Sequence, residues 1–524
     1  ISSRKLELSL EKGNTMARAR KDFKEELKWN VKDLYHSLDD YEKDYHYIQE
    51  HLKDYAKYQG HILDSENILY EVLSFDYKMS EMLERVYVYA HINNDSDTTD
   101  VKYQAMFGKA YKLYEEYNEA TSFLVPEILK GSWELIEKYI NKNPKLKEYE
   151  RVLKNIFRMK KYVLSDKEEK ILSSLSTTFS TPDNVYSYLT DADMKFGTIK
   201  DQFGKKHELN ERTYHEFIES NDRRLRKQAF TKLLSTYGEF KNAYASLLAS
   251  EVNNNNKVTQ IRGYDSARGA SLYGNEIPVS IYDNLISTVK KNIAPLSKFW
   301  KIKKEALGVS KLHLYDTYTA LTNMSTKKYT EKEAEELLYQ ALSVLGDGYI
   351  HDLKKAFGER WIDFCPNDGK RNGAYCTACY SVHPYVLLSY NGTLENVSTL
   401  AHELGHAMHY YYAIKNQSYQ DYGYSIFVAE VASQVNQILL SKYLLQHTDD
   451  IDEKKYLLDD LIRDFKATIY RQTMFADFEK TIHEADQNGE VLTHEYLCNT
   501  YYRLNKEYMG KNVVVDEVVK YEWE

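Results

Sequence analysis

Two histidines four residues apart, with a glutamate directly after the first, form the pattern in this sequence that points most clearly to chemistry. Residues 399–412 read TLAHELGHAMHYYY and place His402, Glu403 and His406 in the H-E-x-x-H arrangement. In an α-helix, side chains four residues apart lie about 6 Å apart on one face, so the two imidazoles can hold one metal ion while Glu403 reaches a water molecule on it. The spacing therefore predicts a zinc-binding helix.

The predicted helix needs a start and a reason for the glycine inside it. Asn396 or Ser398 can supply the N-cap, because both side chains accept hydrogen bonds from the first free amides of a helix. Gly405 lowers helix stability, so its presence indicates close packing against backbone or substrate. A five-residue match can also arise by chance on an ordinary surface or core helix, and the surrounding sequence has to decide.

A third protein ligand is needed, and the next helical pattern offers one. Residues 425–445 contain Glu430, followed at helical spacing by the polar residues Ser433, Gln434 and Gln437, while most other positions are apolar. A carboxylate on a buried polar stripe must be paired, hydrogen-bonded or bound to metal. We therefore predict Glu430 as the third ligand rather than as a structural carboxylate.

His409 lies on the same face as the two histidines but one turn beyond His406. The metzincin pattern requires a glycine three residues and a histidine six residues after the second histidine, where this chain has His409 and Tyr412. That pattern fails. His409 is therefore predicted to hydrogen-bond behind the ligands rather than to bind the metal.

Several further segments occur in the order seen in one family of zinc peptidases, and together they make the resemblance specific. The sequence resembles the oligoendopeptidase F family, within the wider thimet oligopeptidase family, from about residue 20 to its end. The segments that carry the resemblance are RGYDS at 262–266, LYD at 314–316, GAY at 373–375, HPYVLLSYN at 383–391, TLAHELGHAMH at 399–409 and FVAEVAS at 427–433.

Carried over residue by residue, the resemblance implies that His402, His406 and Glu430 hold one zinc ion per chain and that Glu403 is the general base. The family usually has glutamate where this chain has Gln437. The resemblance also implies an endopeptidase for short peptides, with the site in a deep channel flanked by two helical halves.

Length and composition exclude several other classes of function. The chain has 524 residues and a mass of 61.6 kDa, with a net charge of −9 and a sequence pI near 6.0. This charge balance gives no basic surface for nucleic acid or anionic membranes. The sequence also contains no run of 18 apolar residues, the length that a membrane-spanning helix needs. We expect a cytoplasmic protein whose partners are short peptides. The oligomeric state stays open.

Four cysteines are too few for a disulfide framework in a chain of this length. Cys376 and Cys379 match C-x-x-C, but in a strand these positions point to opposite faces. The sequence therefore predicts reduced, partly buried thiols at Cys365, Cys376, Cys379 and Cys498.

Most of the chain shows helical periodicity, which predicts a mostly α, elongated, multi-helix fold. Helices are predicted from Ser37 to Gly60, from Ser65 to a polar break at 93–97, and over 101–120. The tract 253–256 is also predicted to be helical. We divide the chain into a disordered leader or expression remnant (1–15), an N-terminal helical domain (16–200) and a catalytic domain (201–524).

One region, about 360–392, is rich in aromatic and β-branched residues and predicts a small antiparallel β-sheet beside the zinc helix. An edge strand there could pair its backbone with an extended peptide substrate. Gly373, Ala374 and Tyr375 are predicted to bind substrate in this way. Alternatively, the sheet only packs against the helix.

The last residues of the chain resemble the family just before a segment that carries His and several Tyr. The resemblance therefore implies that the catalytic domain lacks this segment and that the chain as given hydrolyses peptides poorly. Two other functions stay open: a carboxypeptidase or aminopeptidase on a related helical scaffold, and a zinc-containing peptide-binding protein with little activity.

Overall fold

The computed structural model describes residues 18–322 and 327–524. The leader predicted over 1–15 lies outside these residues. The mostly α fold with small sheets is confirmed. No helix among the described residues combines the length and apolar character that a membrane span requires.

The α-helices follow one another along most of the described chain. In order they are α1 Leu38–His51, α2 Glu66–Ser96, α3 Val101–Thr121, α4 Leu124–Lys130, α5 Trp133–Lys142, α6 Glu150–Met159, α7 Asp166–Ser174, α8 Ser176–Phe179, α9 Thr181–Ser187, α10 Glu211–Glu219, α11 Arg223–Glu239, α12 Lys241–Arg262, α13 Ala267–Tyr273, α14 Val279–Lys291, α15 Ala294–Ala306, α16 Glu331–Ala341, α17 Asp347–Gly358, α18 Leu394–Asn416, α19 Ile426–His447, α20 Ile451–Phe465, α21 Gln472–Gln487 and α22 His494–Met509.

Shorter helical segments connect these elements. The π-helical segments are Tyr188–Asp193 and Lys466–Arg471. The 3-10 segments are Arg20–Asp22, Glu25–Leu27, Val31–Asp33, Leu52–Lys57, Pro144–Tyr149, Lys160–Tyr162, Leu314–Asp316, Ser343–Leu345 and Glu517–Tyr521.

The predicted starts of the first two helices are confirmed by their caps. Ser37 and Ser65 each accept a backbone hydrogen bond at the start of α1 and α2. The predicted break at 93–97 is wrong, because α2 continues to Ser96. Its polar last turn is buried, and partners within the fold satisfy it: Asn93 donates to the Tyr89 carbonyl oxygen, for example.

The tract 253–256 lies inside α12, as predicted. Asn253 and Asn256 donate hydrogen bonds to Asp486 of α21, so the polar run faces another helix rather than forming a loop. The helix ends at Gly263, whose φ of +82° favours glycine.

Two small sheets are present in the described residues. Strands β1 (Thr198–Lys200) and β2 (Lys206–Glu208) form an antiparallel pair that the sequence did not predict. The second sheet contains β3 (Ile362–Asp363), β4 (Tyr375–Thr377) and β5 (Tyr385–Leu387) in the order β3-β5-β4. The predicted antiparallel pairing joins β4 to β5, but β3 pairs with β5 in parallel, so this sheet is mixed.

The described residues form two compact units, each built from two stretches of the chain. The first unit takes its described residues from Ile1–Lys160 and Ser325–His447, and the second from Lys161–Met324 and Thr448–Glu524. Each unit has its own hydrophobic core. The domain boundary predicted near residue 200 stays a prediction.

Tyrosines fill much of the core of the first unit. Tyr41, Tyr55 and Tyr385 are fully buried there. The Tyr55 hydroxyl donates a 2.9 Å hydrogen bond to Asp76, so the ring is buried while its polar tip is satisfied.

A buried ion cluster fixes the chain that leads into the three-stranded sheet. Asp363 of β3 is fully buried and pairs with Arg20 and Lys370. The Lys370 ammonium donates to Asp363 Oδ1 at 2.7 Å and to the carbonyl oxygens of Cys365 at 2.8 Å and Leu388 at 2.6 Å. These bonds hold the loop after β3 against the end of β5, which leads directly into α18.

Candidate active site

Helix α18 carries the H-E-x-x-H residues, and it begins before the positions predicted as its N-cap. Thr393 is the N-cap, and its side chain accepts from the Asn396 amide. The prediction of Asn396 or Ser398 is therefore wrong. The Asn396 side chain instead accepts from the Asn391 amide, which fixes the turn that precedes the helix.

Gly405 lets α18 and α19 approach each other closely, as its presence in the sequence predicted. A Cβ atom at Gly405 would lie 2.4 Å from Ser433 Cα and 2.6 Å from the Ala432 carbonyl oxygen. No residue other than glycine fits this contact without movement of a helix. The close approach brings α19 within side-chain reach of the histidines on α18.

Three of the predicted site residues meet at this crossing. Glu430 Oε2 lies 3.3 Å from His402 Nε2 and 3.4 Å from His406 Nε2. One potential ligand atom from each of the three residues falls within 4.8 Å of the others. The fold thus brings together predicted residues from two helices, although His406 and Glu430 are more than 20 positions apart in the sequence.

Neighbouring side chains orient two of these three residues. His402 Nδ1 donates to Gln437 Oε1 at 3.2 Å, so in the neutral ring Nε2 carries the lone pair that can bind a cation. The Ser433 hydroxyl donates to Glu430 Oε2 at 2.7 Å. The sequence signal for the Ser433 contact is helical spacing, because Ser433 follows Glu430 by three residues; the Gln437 contact joins two helices and has no such signal.

Glu403 is buried beside this group. Burial raises its pKa first, and the negative charge of Glu430 raises it further, to about 7. The pKa of His406 is lowered, chiefly because burial disfavours the charged imidazolium. Both shifts favour a carboxyl that can hold or release a proton near neutral pH beside a neutral imidazole.

The prediction that Glu430 lies on a buried polar stripe is wrong, although Glu430 does lie on the predicted helix. The Glu430 side chain is 55% exposed, so it does not lie on a buried polar stripe. On α19 the fully buried residues are Ser433, Asn436 and Leu440, and several apolar residues face solvent. Apolar residues occur on every side of this helix, so periodicity could not identify the side that packs.

His409 makes a different contact from the predicted one. Its ring stacks on Tyr424 with centroids 3.8 Å apart and planes 6° apart, and its buried Nδ1 has no hydrogen-bond partner in the described residues. Burial lowers its pKa. A hydrogen-bonding role for His409 behind the ligands stays a prediction, while Gln437 makes the bond to His402.

The predicted substrate residues Gly373, Ala374 and Tyr375 lie at and just before the start of the edge strand β4. The Tyr375 side chain points away from α18, because its hydroxyl donates to Asp95 of α2 at 3.0 Å. The next residue, Cys376, points the other way: after burial, the charge of Glu403 raises its thiol pKa. Strand β4 packs against α18.

All four cysteines are free, as predicted, and no disulfide competes for the thiols near the site.

The residues at the helix crossing suit a zinc ion. Zinc prefers imidazole nitrogen and carboxylate oxygen at about 2.0–2.1 Å in a tetrahedron, whose edges are then roughly 3.3–3.4 Å. The two separations from Glu430 Oε2, 3.3 and 3.4 Å, equal such edges. Among the described residues this group offers three ligands, the number that catalytic zinc sites take from the protein.

Comparison with known proteins points to the same chemistry. Peptidase family M3 matches residues 217–523, and the Oligopeptidase F family matches 127–196. The chain is 38% identical to oligopeptidase PepF of Bacillus subtilis, covering 99% of this chain and 78% of that protein. It is 36% identical to group B oligopeptidase PepB of Streptococcus agalactiae, covering 97% of this chain and 84% of that protein.

A solved structure agrees with the sequence matches. The crystal structure of oligoendopeptidase-F from Enterococcus faecium superposes with a TM-score of 0.70 at 32% identity, covering 92% of this chain and 82% of that one. The helical fold, the His-His-Glu group and these relatives define the class of protein: this chain is a metalloendopeptidase. Because the M3 match spans more than half of its length, the chain belongs to peptidase family M3.

Proposed function

We propose that this chain is a zinc-dependent endopeptidase that hydrolyses internal bonds of short oligopeptides. His402, His406 and Glu430 hold one zinc ion, and Glu403 is the general base. The observation that carries the proposal is the placement of Glu430 Oε2 at 3.3 and 3.4 Å from the two imidazole nitrogens, next to a glutamate whose pKa is about 7. Relatives named as oligopeptidases support the substrate class.

The protein residues divide the chemical work between them. A zinc ion in this site supplies Lewis-acid chemistry, polarising a peptide carbonyl and making a water molecule more acidic. Glu403 accepts the proton of the attacking water and returns it to the departing amine nitrogen. Burial raises the pKa of the Glu403 carboxyl, which makes it a better proton acceptor than an exposed glutamate.

We propose that the edge strand β4 aligns the substrate. The backbone of Gly373, Ala374 and Tyr375 is proposed to pair with an extended peptide, because β4 is an end strand of its sheet in the described residues and packs against α18. The Tyr375 side chain stays on Asp95 and contributes by fixing the strand rather than by touching substrate. The free thiols support a reducing compartment, so we propose that the enzyme cleaves its peptides in the cytoplasm.

Cleavage of internally quenched peptides separates this function from its alternatives. A peptide blocked at both ends is cut by an endopeptidase, but not by a carboxypeptidase or aminopeptidase, which needs a free terminus. A chelator is expected to abolish cleavage and added zinc to restore it, with the helical circular dichroism signal retained throughout. Cleavage of only the unblocked peptides would indicate an exopeptidase, and binding without cleavage would indicate a peptide-binding protein.

A further inference from the structure

The last turn of α2 is tied to the loop that leads into β4. Asp95 lies in this turn and is buried. Its Oδ2 accepts hydrogen bonds from the Tyr375 hydroxyl at 3.0 Å and from Arg371 Nη1 at 3.1 Å. His91 Nε2 lies 3.0 Å from the same oxygen. One buried carboxylate of α2 therefore contacts both ends of the segment 371–375.

Backbone bonds along the same loop reinforce this contact. The Arg371 amide donates to the Asp95 carbonyl oxygen at 2.9 Å. The Gly369 carbonyl oxygen accepts from the Thr98 amide at 2.6 Å and from the Thr98 hydroxyl at 2.7 Å. The loop before β4 is thus held by the end of α2, a helix of 31 residues, as well as by the sheet that it enters.

The segment 371–375 needs this support because much of it is exposed. Arg371, Asn372 and Gly373 are exposed, and β4 itself has only three residues. An exposed segment samples many backbone conformations unless contacts fix it, and ordering it at the moment of binding weakens affinity. The Tyr375 ring adds one more contact by stacking on His91, with centroids 5.6 Å apart and planes 22° apart.

The strength of the Asp95 contact comes from its charge. Burial alone would raise the pKa of Asp95, but the hydrogen bonds from His91 and Tyr375 and the positive charge of Arg371 outweigh it and lower the pKa. Asp95 is therefore a carboxylate at neutral pH, and hydrogen bonds to a charged group are stronger than those between neutral groups. Asp95→Asn keeps the size of the side chain and removes this charge.

We propose, building on the function proposed above, that Asp95 is a positioning residue for substrate binding: it keeps β4 in the extended form with which the peptide backbone pairs. In this role Asp95 acts through the segment 371–375 rather than by touching the substrate. Backbone pairing holds the peptide before and during the reaction alike, so its loss should raise KM far more than it lowers kcat.

Cleavage of an end-blocked, internally quenched peptide by the zinc-loaded protein tests this role. Asp95→Asn is expected to raise KM about tenfold, the worth of one hydrogen bond to a charged group, with kcat within about threefold of wild type. Tyr375→Phe removes only the hydroxyl and should also raise KM. Because both changes break the same contact, the double variant should exceed Asp95→Asn by no more than about twofold.

Tyr55→Phe is the matched control, because the Tyr55 hydroxyl donates a 2.9 Å hydrogen bond to Asp76 in the same unit. It removes the same kind of contact and should lower the thermal midpoint while KM stays at the wild-type value. An equal rise of KM in Tyr55→Phe would show that KM follows stability alone, and the positioning role would be lost.

N-methylated peptides test whether Asp95 acts through backbone pairing. A scan that methylates one amide at a time removes one backbone donor per peptide, and binding is measured on the zinc-loaded Glu403→Gln protein to avoid turnover. At one or more positions the methyl group is expected to weaken binding about tenfold or more. With Asp95→Asn added, the penalty at those positions should fall below about threefold. If Asp95→Asn does not fold, Tyr375→Phe is used in the same two measurements.

Unchanged KM in both site variants, a fall in kcat without a rise in KM, or an N-methyl penalty that is absent in wild type or persists without Asp95 would overturn the inference. With the blocked peptides still cleaved, these results leave the proposed function standing. An N-methyl penalty that depends on Asp95, in a wild-type zinc protein that does not cleave blocked peptides, would reject the proposed function instead.

Discussion

The four-residue spacing of the two histidines predicts a shared metal-binding face without knowledge of the fold. His402 and His406 share a helix face because of local geometry alone, and the structure places their rings with centroids 4.9 Å apart. Glu430 was found by a different argument, and one of its premises was wrong, since the side chain is half exposed. Helical spacing pointed to a residue that the structure places beside both histidines, while the predicted burial around it was wrong.

Gln437 shows what local spacing cannot reveal. Its contact with His402 joins two helices, and nothing in a single sequence states that α18 and α19 cross at these positions. The amide oxygen fixes which imidazole nitrogen carries the proton, and a glutamate there would do so with a full negative charge. The residue type at position 437 therefore affects the basicity of the His402 imidazole.

Replacing Gln437 should change metal affinity before it changes anything else. Gln437→Ala is expected to weaken zinc binding by about 10- to 100-fold, because the His402 ring loses the partner that orients it. Competition against a chromophoric chelator measures the affinity. Gln434→Ala on the same helix is the control and should bind zinc as the wild type does. Unchanged affinity in Gln437→Ala would show that the hydrogen bond does not hold the ligand.

At the scale of elements, the α18–α19 pair was predicted in part. Both helices and the close contact at Gly405 followed from the sequence, because a glycine in the middle of a strong helix needs a reason. The packed face of α19 did not, since apolar residues surround this helix and the contact itself uses Ser433 and Asn436. Small polar residues allow close approach, which a search for apolar stripes overlooks.

An alanine at position 405 should separate the two helices. Its Cβ atom would meet Ser433 Cα at 2.4 Å, and overpacking of this kind costs about 1–3 kcal/mol, more than the roughly 1 kcal/mol of helix propensity that alanine gains. Gly405→Ala is therefore expected to lower both the thermal midpoint and the zinc affinity.

Gly108 supplies the matched control for this change. It lies inside α3, where an added Cβ meets nothing within 4 Å, so Gly108→Ala should raise the thermal midpoint through propensity alone. If Gly405→Ala behaved like Gly108→Ala in thermal unfolding and zinc titration, the close approach would not be what positions Glu430.

At the scale of the whole molecule, each compact unit joins stretches that are distant in the chain. Composition shifts and polar linkers mark boundaries along a sequence, but they cannot show that a chain leaves a unit and returns to it. The Arg20, Asp363 and Lys370 cluster is one place where such a return is fixed, since it ties the N-terminal stretch to the sheet.

This cluster should make the first unit sensitive to acid. Burial alone would raise the pKa of Asp363, but the Arg20 hydrogen bond and the Lys370 charge outweigh it and lower the pKa. A carboxyl whose folded pKa is depressed contributes stability above its unfolded pKa of about 3.9, and that stability is lost as the pH falls through the folded pKa.

Asp363→Asn is therefore expected to lower the thermal midpoint on the order of 5 °C or more at pH 7, because it leaves the buried Lys370 and the partly buried Arg20 without their partner. The difference from wild type should shrink as the pH approaches 3. Glu336→Gln, an exposed change on α16, serves as the control and should have little effect. A difference that stays constant from pH 7 to pH 3 would rule out the charged cluster as its source.

The central claim is that zinc at His402, His406 and Glu430 works with Glu403 as the general base. The most direct test is the kcat of zinc-loaded Glu403→Gln on an internally quenched peptide blocked at both ends, with zinc content measured on the same sample. The account predicts one zinc per chain and a kcat lowered by about 10² to 10⁴, the loss typical for removal of a general base. A zinc-loaded variant that turned over at the wild-type rate would contradict it.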